Sequence, residues 1–216
     1  MIIAIDGPAG SGKTTIARQL ARALGISYLD TGATYRALTL YCVEHDVDPS
    51  DGKAAAAAAR KLDLQFKGET LLLSGRDVSE LIRTPRIDRA ISQIVAHPEV
   101  REVMVALQRE IAREKDYVSE GRDVTTVVFP EAEHKFYLDA DRGVRAQRRY
   151  KEMQEKGVSI SKEELTRLLE KRDHADQTRE VGALRQAEDA TYIDTTGLNP
   201  EEVLALLKDC IEGKRV

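Results

Sequence analysis

The sequence predicts an α/β fold in which a central parallel sheet carries helices on both faces. Short apolar strands alternate with helical patterns along the 216 residues, as is typical of parallel sheets. A glycine-rich loop joins the first predicted strand to the first predicted helix. Between residues 62 and 78 the pattern changes to short segments separated by glycines, which predicts a small antiparallel insert. The length favours one domain with attachments.

The composition argues against several classes of protein. The formal net charge is −4, so the chain lacks the basic field expected of a nucleic-acid-binding protein. Two isolated cysteines are too few for a disulfide framework or a cysteine metal site, which favours a reducing compartment. No signal sequence or apolar run of membrane-spanning length is recognisable. We therefore expect a cytoplasmic protein with neither nucleic acid nor membrane as a partner.

The first loop fills every fixed position of the G-x-x-x-x-G-K-[ST] pattern. It follows the apolar run Ile2–Ile5, a predicted buried strand, and it leads into a predicted amphipathic helix closed by Gly25. The residues of the loop are Gly7, Pro8, Ala9, Gly10, Ser11, Gly12, Lys13 and Thr14, followed by Thr15. Backbone N–H groups in such a loop, together with the helix N-terminus, form a site for the phosphates of a nucleoside triphosphate.

Three side chains of this loop have predicted roles with ATP and Mg²⁺. Lys13 would reach the outer phosphates, and the Thr14 hydroxyl would be a ligand of a Mg²⁺ ion that bridges them. Thr15 offers a second hydroxyl beside it. The alternative is a glycine-rich turn that matches by chance, and the strand–loop–helix setting argues against it.

The chain then continues towards the insert. A strand over 27–30 is followed by a helix from Thr31 to about Glu44, and Asp30 lies between them. Asp30 is open to two interpretations, the N-cap of this helix or a carboxylate facing a ligand. The alanine run 54–59 predicts a structural helix. The antiparallel insert that follows is of a kind that often shapes a substrate pocket.

The middle of the chain predicts two helices and two strands. The helices extend over about 86–96 and 99–114, with a proline able to start the second. The strand after residue 117 ends in Glu120-Gly121-Arg122-Asp123, and ligands gather at the carboxyl ends of parallel strands. Residues 136–138 form another predicted strand, and a strand over 191–194 precedes a last helix in which we expect no chemistry.

Residues 142–179 form a basic helix pair, with eleven Lys and Arg against seven Asp and Glu. Two groups of three share a helix face, namely Arg145, Arg148 and Arg149 on the first helix and Arg172, Asp176 and Arg179 on the second. One interpretation is a solvated surface. The other is a lid whose guanidinium groups stabilise a transferring phosphoryl group and exclude water, and the triphosphate loop favours this second interpretation.

Other classes of triphosphate-binding protein fit less well. A GTPase needs an Asn-Lys-x-Asp signature, and the only asparagine in the chain is Asn199. Large oligomeric ATPases carry a longer apolar strand before their acidic residue than the segment 117–120. A compact kinase remains, and its predicted acceptor site is built from Asp30, Arg36, the antiparallel insert, Arg101 and the turn Gly121-Arg122-Asp123.

Five blocks make the chain similar to the bacterial cytidylate kinases, in the order of that family. The blocks are Ile5–Thr14, Asp30–Arg36, Asp77–Arg83, Gly121–Pro130 and Arg172–Arg179. The resemblance implies the P-loop nucleoside monophosphate kinase fold, with its central parallel sheet, small antiparallel β insert and helical lid. It divides the single domain into a core of about 1–35, 115–145 and 180–216, an acceptor-binding part of about 36–114 and a lid of about 146–161.

The resemblance also implies an activity, the transfer of the γ-phosphoryl group of ATP to CMP and dCMP. Arg36 and Arg122 would hold the acceptor phosphate. Four side chains would contact cytosine: Ser92, Arg101, Asp123 and Arg179. Arg172 and Asp176 would contact the pentose, and Asp30, Thr31 and Tyr35 complete the predicted acceptor site. The predicted catalytic group is Lys13, Arg122, Asp123, Arg145, Arg148 and Arg149.

Two departures from the pattern of the family, and two other functions, stay open at this point. Thr34 stands where methionine or isoleucine is usual. Val124-Thr125 stands where methionine or isoleucine followed by glycine is usual. This adds a side chain beside the turn Gly121-Arg122-Asp123, called the acceptor turn below. The other functions are a kinase for UMP, AMP or a sugar acid, and a switch that hydrolyses ATP slowly. We expect a monomer.

Overall fold

The computed structural model describes residues 1–113, 115–155 and 157–213. Within them the strands are β1 (Ile2–Asp6), β2 (Ser27–Asp30), β3 (Leu64–Lys67), β4 (Thr70–Leu73), β5 (Arg76–Asp77), β6 (Tyr117–Gly121), β7 (His134–Asp139) and β8 (Thr191–Asp194). The α-helices are α1 (Lys13–Leu24), α2 (Thr31–Glu44), α3 (Gly52–Ala59), α4 (Pro85–Ile94), α5 (Pro98–Ile111), α6 (Arg142–Glu155), α7 (Lys162–Thr178) and α8 (Pro200–Ile211). A 3₁₀ helix covers Leu81–Arg83 and a π-helical turn covers Val124–Val128.

The central sheet is parallel and has the strand order β2-β6-β1-β7-β8. In its register Ile2 pairs with Tyr117 and Asp6 pairs with Gly121, so β1 and β6 end side by side. The residues that follow these strands therefore meet at one edge of the sheet, which is where ligands bind in open parallel sheets. The predicted central sheet is confirmed.

Helices cover both faces of this sheet. Successive side chains of β1 point to opposite faces and therefore pack against different helices. Ile3 and Ile5 belong to the core cluster that contains residues of α1 and α8. Ala4, on the other face, packs against Val105 of α5 and against the π-helical turn. The predicted arrangement of helices is confirmed.

The insert forms a separate antiparallel sheet in the order β3-β4-β5, as predicted. Its inward-facing leucines join the core cluster that also contains residues of α2, α3 and α5. The turn between β3 and β4 carries Glu69, which pairs with Arg18 and Arg22 of α1. The insert is therefore connected both to the acceptor-side helices and to the helix that follows the phosphate loop.

The end of α5 differs from the sequence prediction. α5 ends at Ile111 and is capped by Ala112, whereas the prediction extended to Glu114, which lies outside the described residues. The basic pair is confirmed as α6 and α7, and Lys156, in the predicted turn between them, also lies outside the described residues. At the start of α7 the Ser161 side chain accepts a hydrogen bond from the backbone N–H of Glu164 and so caps the helix. None of the described helices is long and apolar enough to cross a bilayer.

Candidate active site

The loop between β1 and α1 has the backbone that its glycines predict. Gly7 adopts a φ of 150°, and a Cβ there would lie 2.0 Å from the carbonyl oxygen of Leu138. Gly12, at φ 93°, is the N-cap of α1. Both conformations are unfavourable for residues with side chains. The loop therefore closes tightly over the sheet and presents the first turn of α1 to the edge where the strands end.

Lys13 is buried at the start of α1 and folds back over the loop. Its Nζ donates to the Pro8 carbonyl oxygen at 2.6 Å and to the Ser11 Oγ at 3.3 Å. Burial, and then the positive charge of Arg122, lower the pKa of Lys13, while the charges of Glu120 and Asp6 oppose this shift. A buried ammonium group whose hydrogen bonds within the described part of the chain go to neutral acceptors is well suited to bind an anionic phosphate.

Glu120, the last acidic residue of β6, contacts the loop directly. The Thr14 hydroxyl donates to its Oε1 at 2.6 Å, and the Tyr28 hydroxyl donates to the same oxygen at 3.1 Å. Burial is the main cause that raises the pKa of Glu120. The hydroxyl and the carboxylate are both oxygen ligands of the kind that Mg²⁺ takes. Thr15, in contrast, has an exposed side chain.

The donor set fits a Mg²⁺ ion that keeps most of its ligands from phosphate and water. Within the described residues, no group of three or more His, Cys, Asp or Glu side chains could hold a metal ion. The oxygens that could hold such an ion beside the loop are those of Thr14 and Glu120, which a hydrogen bond already joins. Glu120 was missing from the predicted site residues, although its place at the end of a strand was the available signal.

The start of α2 forms one wall of the acceptor side. Asp30 accepts a hydrogen bond from the backbone N–H of Ala33 at 2.8 Å, which confirms its interpretation as an N-cap. Its other oxygen accepts from Arg83 Nη2 at 3.2 Å. The Thr31 hydroxyl donates to the backbone oxygen of Glu120 at 2.8 Å, which joins α2 to β6. Because Arg83 occupies the oxygen that the cap does not use, a ligand-facing role for Asp30 stays a prediction.

Arg101 and Asp123 form a buried ion pair beside Tyr35. Arg101 Nη2 donates to Asp123 Oδ2, and the Arg101 guanidinium lies 5.4 Å from the centre of the Tyr35 ring. Burial raises the pKa of Asp123, and the charge of Arg101 opposes that shift. Arg101 Nε and the Tyr35 hydroxyl are buried without a hydrogen-bond partner among the described residues. Unpaired polar atoms at this depth are costly, so they indicate a polar ligand.

Asp176 of α7 connects two of the predicted acceptor arginines. Arg122 Nε donates to Asp176 Oδ2 at 2.8 Å, and Arg179 Nη2 donates to Asp176 Oδ1 at 2.6 Å. The pKa of Asp176 is lowered despite burial, because the charges of Arg122, Arg172 and Arg179 favour its ionised form. Desolvation by neighbouring protein atoms, and then the positive charge of Arg122, lower the pKa of Arg172 to about 10. Part of the Arg172 side chain is nevertheless exposed.

Of the remaining two acceptor residues, Arg36 belongs to α2 and contacts α4, whereas Ser92 belongs to α4 itself. Arg36 forms an ion pair with Asp88 at 2.6 Å and donates to the Ile82 carbonyl oxygen at 3.2 Å. Ser92 has an exposed side chain whose hydroxyl donates to the Arg89 carbonyl oxygen at 3.5 Å. In the described part of the chain no hydrogen bond joins Ser92 to Arg101 or Asp123. Its predicted contact with the base therefore stays a prediction.

The geometry thus places a triphosphate loop next to a second site rich in arginine and carboxylate, and comparison with known proteins agrees with it. The family model described as cytidylate kinase matches residues 3–212. The chain belongs to the cytidylate kinase family. Cytidylate kinase from Carboxydothermus hydrogenoformans is 47% identical over 99% of this chain and 98% of that protein. Cytidylate kinase from Caldanaerobacter subterraneus subsp. tengcongensis is 46% identical, covering 97% and 93% respectively.

A solved structure supports the fold of this cytidylate kinase family member. A gluconokinase from Sinorhizobium meliloti superposes with a TM-score of 0.50 over 98% of this chain and 93% of that one. The two sequences are 14% identical, so this likeness concerns the fold alone.

The three predicted lid arginines have different contacts in this kinase. Arg145 is buried, and its Nη1 donates to the Ala9 carbonyl oxygen at 3.0 Å and to Asp173 Oδ2 at 2.6 Å. Arg148 instead donates to the backbone oxygen of Thr195 at 2.6 Å, and Arg149 pairs with Glu152. Of the three, Arg145 is the one that contacts the phosphate loop among the described residues.

Asp173 is a further residue of this region that the sequence did not single out. Besides its bond with Arg145, it accepts a hydrogen bond from the backbone N–H of Ala9 at 3.4 Å. α7 therefore contacts the phosphate loop through one carboxylate and the acceptor arginines through Asp176. The charge-rich face of α7 was the signal, but its spacing did not indicate which side chain meets which site.

Gly121→Ala is expected to lower the free energy of unfolding by about 1–3 kcal/mol, because overpacking displaces neighbours. The new Cβ would lie 2.4 Å from the Thr31 hydroxyl and 2.7 Å from a Val124 methyl group. Urea unfolding at constant m-value measures the change. Gly197→Ala is the control, since nothing lies within 4 Å of its Cβ position. Equal midpoints for the two variants would contradict the close packing at this turn.

Proposed function

We propose that this chain transfers the γ-phosphoryl group of ATP to CMP and dCMP, giving ADP and CDP or dCDP. Membership of the cytidylate kinase family supports this reaction. The observation that carries it is the closeness of the two sites, because Asp6 pairs with Gly121 in the sheet and the phosphate loop and the acceptor turn therefore start side by side. The charge of Arg122 at the acceptor turn also contributes to the lowered pKa of Lys13 at the phosphate loop. Two neighbouring cations that repel one another are stabilised when anionic phosphates lie between them.

The residues of the chain supply binding, alignment and charge stabilisation. Backbone N–H groups of the loop and Lys13 would hold the outer phosphates of ATP, and Arg36 and Arg122 would hold the phosphate of CMP. The attacking oxygen belongs to that phosphate and is already anionic, so no general base is required. Arg145, bound to the Ala9 carbonyl oxygen, is suitably placed to stabilise charge on the moving group.

Mg²⁺ is part of this proposal, and Thr14 and Glu120 would hold it. When bound there, Mg²⁺ would supply positive charge that offsets the negative charge developing on the phosphate oxygens. The Thr14 hydroxyl already points to Glu120 Oε1 at 2.6 Å, so both oxygens face one volume beside the loop. Glu120→Gln is a suitable variant for direct Mg²⁺ titration of the complex with ATP.

Cytosine would bind at the Arg101–Asp123 pair. A carboxylate accepts a hydrogen bond from the exocyclic amine of cytosine, and Arg101 and Arg179 can donate to the acceptor atoms of its ring. The unpartnered Arg101 Nε and Tyr35 hydroxyl leave donors for such a ligand. Arg172 and Asp176 of α7 would contact the pentose, together with the wall formed by Asp30 and Thr31.

The division into core, acceptor part and lid belongs to the same proposal. If residues 146–161 close over bound substrates, trypsin cleavage after Arg149 and Lys151 should slow severalfold with a bisubstrate analogue bound. Cleavage after the exposed Arg60 of the loop that follows α3 provides the control, because its rate should not change. Equal cleavage rates with and without saturating analogue would favour a plain solvated helix pair.

We also propose a cytoplasmic monomer. The two cysteines are free, and Cys42 is buried, as expected in a reducing compartment. Light scattering of the purified protein at working concentrations measures its mass directly. A mass near 24.0 kDa supports the monomer, and twice that value contradicts it.

A panel of acceptors tests the proposed reaction. ADP release from Mg·ATP is followed in parallel with CMP, dCMP, UMP and AMP, and without any acceptor. We expect CMP and dCMP to give the highest kcat/KM. A higher value for UMP or AMP would replace the proposed acceptor, and ADP release independent of every acceptor would favour the ATP-hydrolysing switch.

A further inference from the structure

Asp6, the last residue of β1, is a buried carboxylate that none of the proposed steps uses. It is 0% exposed and lies immediately before Gly7, the first residue of the phosphate loop. Its Oδ1 accepts from the backbone N–H of Val124 at 2.9 Å. Its Oδ2 accepts from the backbone N–H of Thr125 at 2.8 Å and from the Thr125 hydroxyl at 2.6 Å. Three donors from one short segment therefore converge on this carboxylate.

The segment bound by Asp6 is the continuation of the acceptor turn. Val124 and Thr125 follow directly on Arg122 and Asp123, and they begin the π-helical turn. At the other end of that turn, Arg109 of α5 donates to the carbonyl oxygens of Val127 and Val128 at 2.7 and 2.8 Å. The segment is therefore held at both ends by side chains from other elements.

The Thr125 side chain has a specific place in this arrangement. In the sequence it was a departure that added a side chain beside the acceptor turn. In the structure its hydroxyl points to Asp6, and it makes the shortest of the three hydrogen bonds. The neighbouring Thr126 hydroxyl is buried without a hydrogen-bond partner among the described residues. The two adjacent threonines thus differ in whether the side-chain hydroxyl donates a hydrogen bond to Asp6.

We propose that Asp6 is a positioning residue. Through its hydrogen bond with the Thr125 hydroxyl, it holds the acceptor turn at a fixed position relative to the phosphate loop. The inference rests on the proposed function, because the position of Arg122 and Asp123 relative to the phosphate loop affects the rate only if these residues hold the acceptor. Each substrate is bound by its own side of the site. The distance between the two sides affects the rate only when the phosphoryl group moves, and small misplacements of reacting groups reduce rates by large factors.

The charge state of Asp6 offers a second readout. Burial raises its pKa to about 6, whereas the hydrogen bonds from Thr125 and Val124 lower it and the charge of Asp123 raises it. Lys13 of α1 and Tyr137 of β7 also interact with it electrostatically. Protonation occupies one of the accepting oxygens, so kcat should fall below this pKa. Loss of the Thr125 hydroxyl should move that acid limb to higher pH.

Thr125→Val tests the inference, because it removes the hydroxyl and keeps the shape of the side chain. We expect kcat to fall roughly tenfold, with both KM values within about twofold, and the acid limb of kcat to move up by about one pH unit. Thr125→Ser should restore both. Thr126→Val is the matched control and should behave as the unmodified protein.

The assay uses whichever acceptor gives the highest turnover in the panel. It therefore tests the role of the Asp6–Thr125 hydrogen bond even if that acceptor is not CMP. Thr125→Val with the kcat and acid limb of Thr126→Val would overturn the inference. A loss that appears only in KM, or only as a lower melting temperature, would also overturn it. Asp6→Asn is the second variant, and where it folds it should lose more kcat than Thr125→Val and lack the acid limb.

Discussion

Lys13→Ala is expected to lower kcat by a factor of ~10² or more, equivalent to about 3 kcal/mol of transition-state stabilisation. The Lys13 ammonium is buried, and among the described residues its hydrogen bonds go to the Pro8 carbonyl oxygen and the Ser11 hydroxyl. Its charge interacts most strongly when negative charge accumulates on the transferring group. Steady-state kinetics with saturating ATP and acceptor measure the effect.

Folding should be much less affected than turnover in this variant. The depressed pKa of Lys13 means that its charged form is disfavoured in the free protein. The unfolded chain therefore binds this proton more tightly, and the charge costs stability below the unfolded pKa. Removing the side chain also removes this cost, so the free energy of unfolding should not fall appreciably. Lys53→Ala, on the exposed face of α3, is the control for both measurements. A near-normal kcat would remove the phosphate-loop assignment.

Asp123→Asn is expected to bring the kcat/KM ratio of CMP to UMP close to one. With aspartate in place, UMP presents a carbonyl oxygen where CMP presents an amine, and a buried carboxylate would face it unpaired. That mismatch should cost about 2–4 kcal/mol, which corresponds to roughly 30- to 1,000-fold discrimination. An asparagine amide can rotate its NH₂ group towards the uracil oxygen. Activity with CMP should fall while activity with UMP is retained or rises.

The variant also removes the charged partner of Arg101, so its stability needs separate attention. Breaking a buried ion pair costs about 3–5 kcal/mol, and part of the protein could unfold. The ratio of the two substrates, measured on one preparation, is independent of the folded fraction. Asp63→Asn, at an exposed carboxylate, controls for the change in net charge. Equal losses for CMP and UMP would transfer base selection to Arg101, Arg179 and Ser92.

Much of the fold could be predicted because local signals agree with it. Gly25 ends α1 in the left-handed conformation, and Asn199 with Pro200 starts α8 through a capping box. The strand 27–30 and the helix after it were predicted with their observed bounds. The turn Val124–Val128 was not, because a run of β-branched residues has low helix propensity. Contacts with Asp6 and Arg109 stabilise it, and these lie far away in the sequence.

The site was predictable where a motif carried it and incomplete where long-range pairing decided it. The phosphate loop lies where the pattern placed it, and Arg101 meets Asp123 although 22 residues separate them. Glu120 and Asp173 were missed because their roles depend on hydroxyl and N–H groups more than a hundred residues away. No local periodicity encodes such contacts. Arg145 and Arg148 likewise have different contacts, because the Arg145 guanidinium meets the phosphate loop at Ala9 and the Arg148 guanidinium meets Thr195.

The transfer of label from ATP tests the central claim most directly. The protein is incubated with Mg²⁺, CMP and ATP labelled at the γ-phosphorus, and the products are separated. We predict that the label appears in CDP in a one-to-one ratio with the ADP formed, and that ADP formation is negligible without CMP. Label found mainly in free inorganic phosphate, at a rate that CMP does not change, would contradict a phosphoryl transfer between the two sites described above.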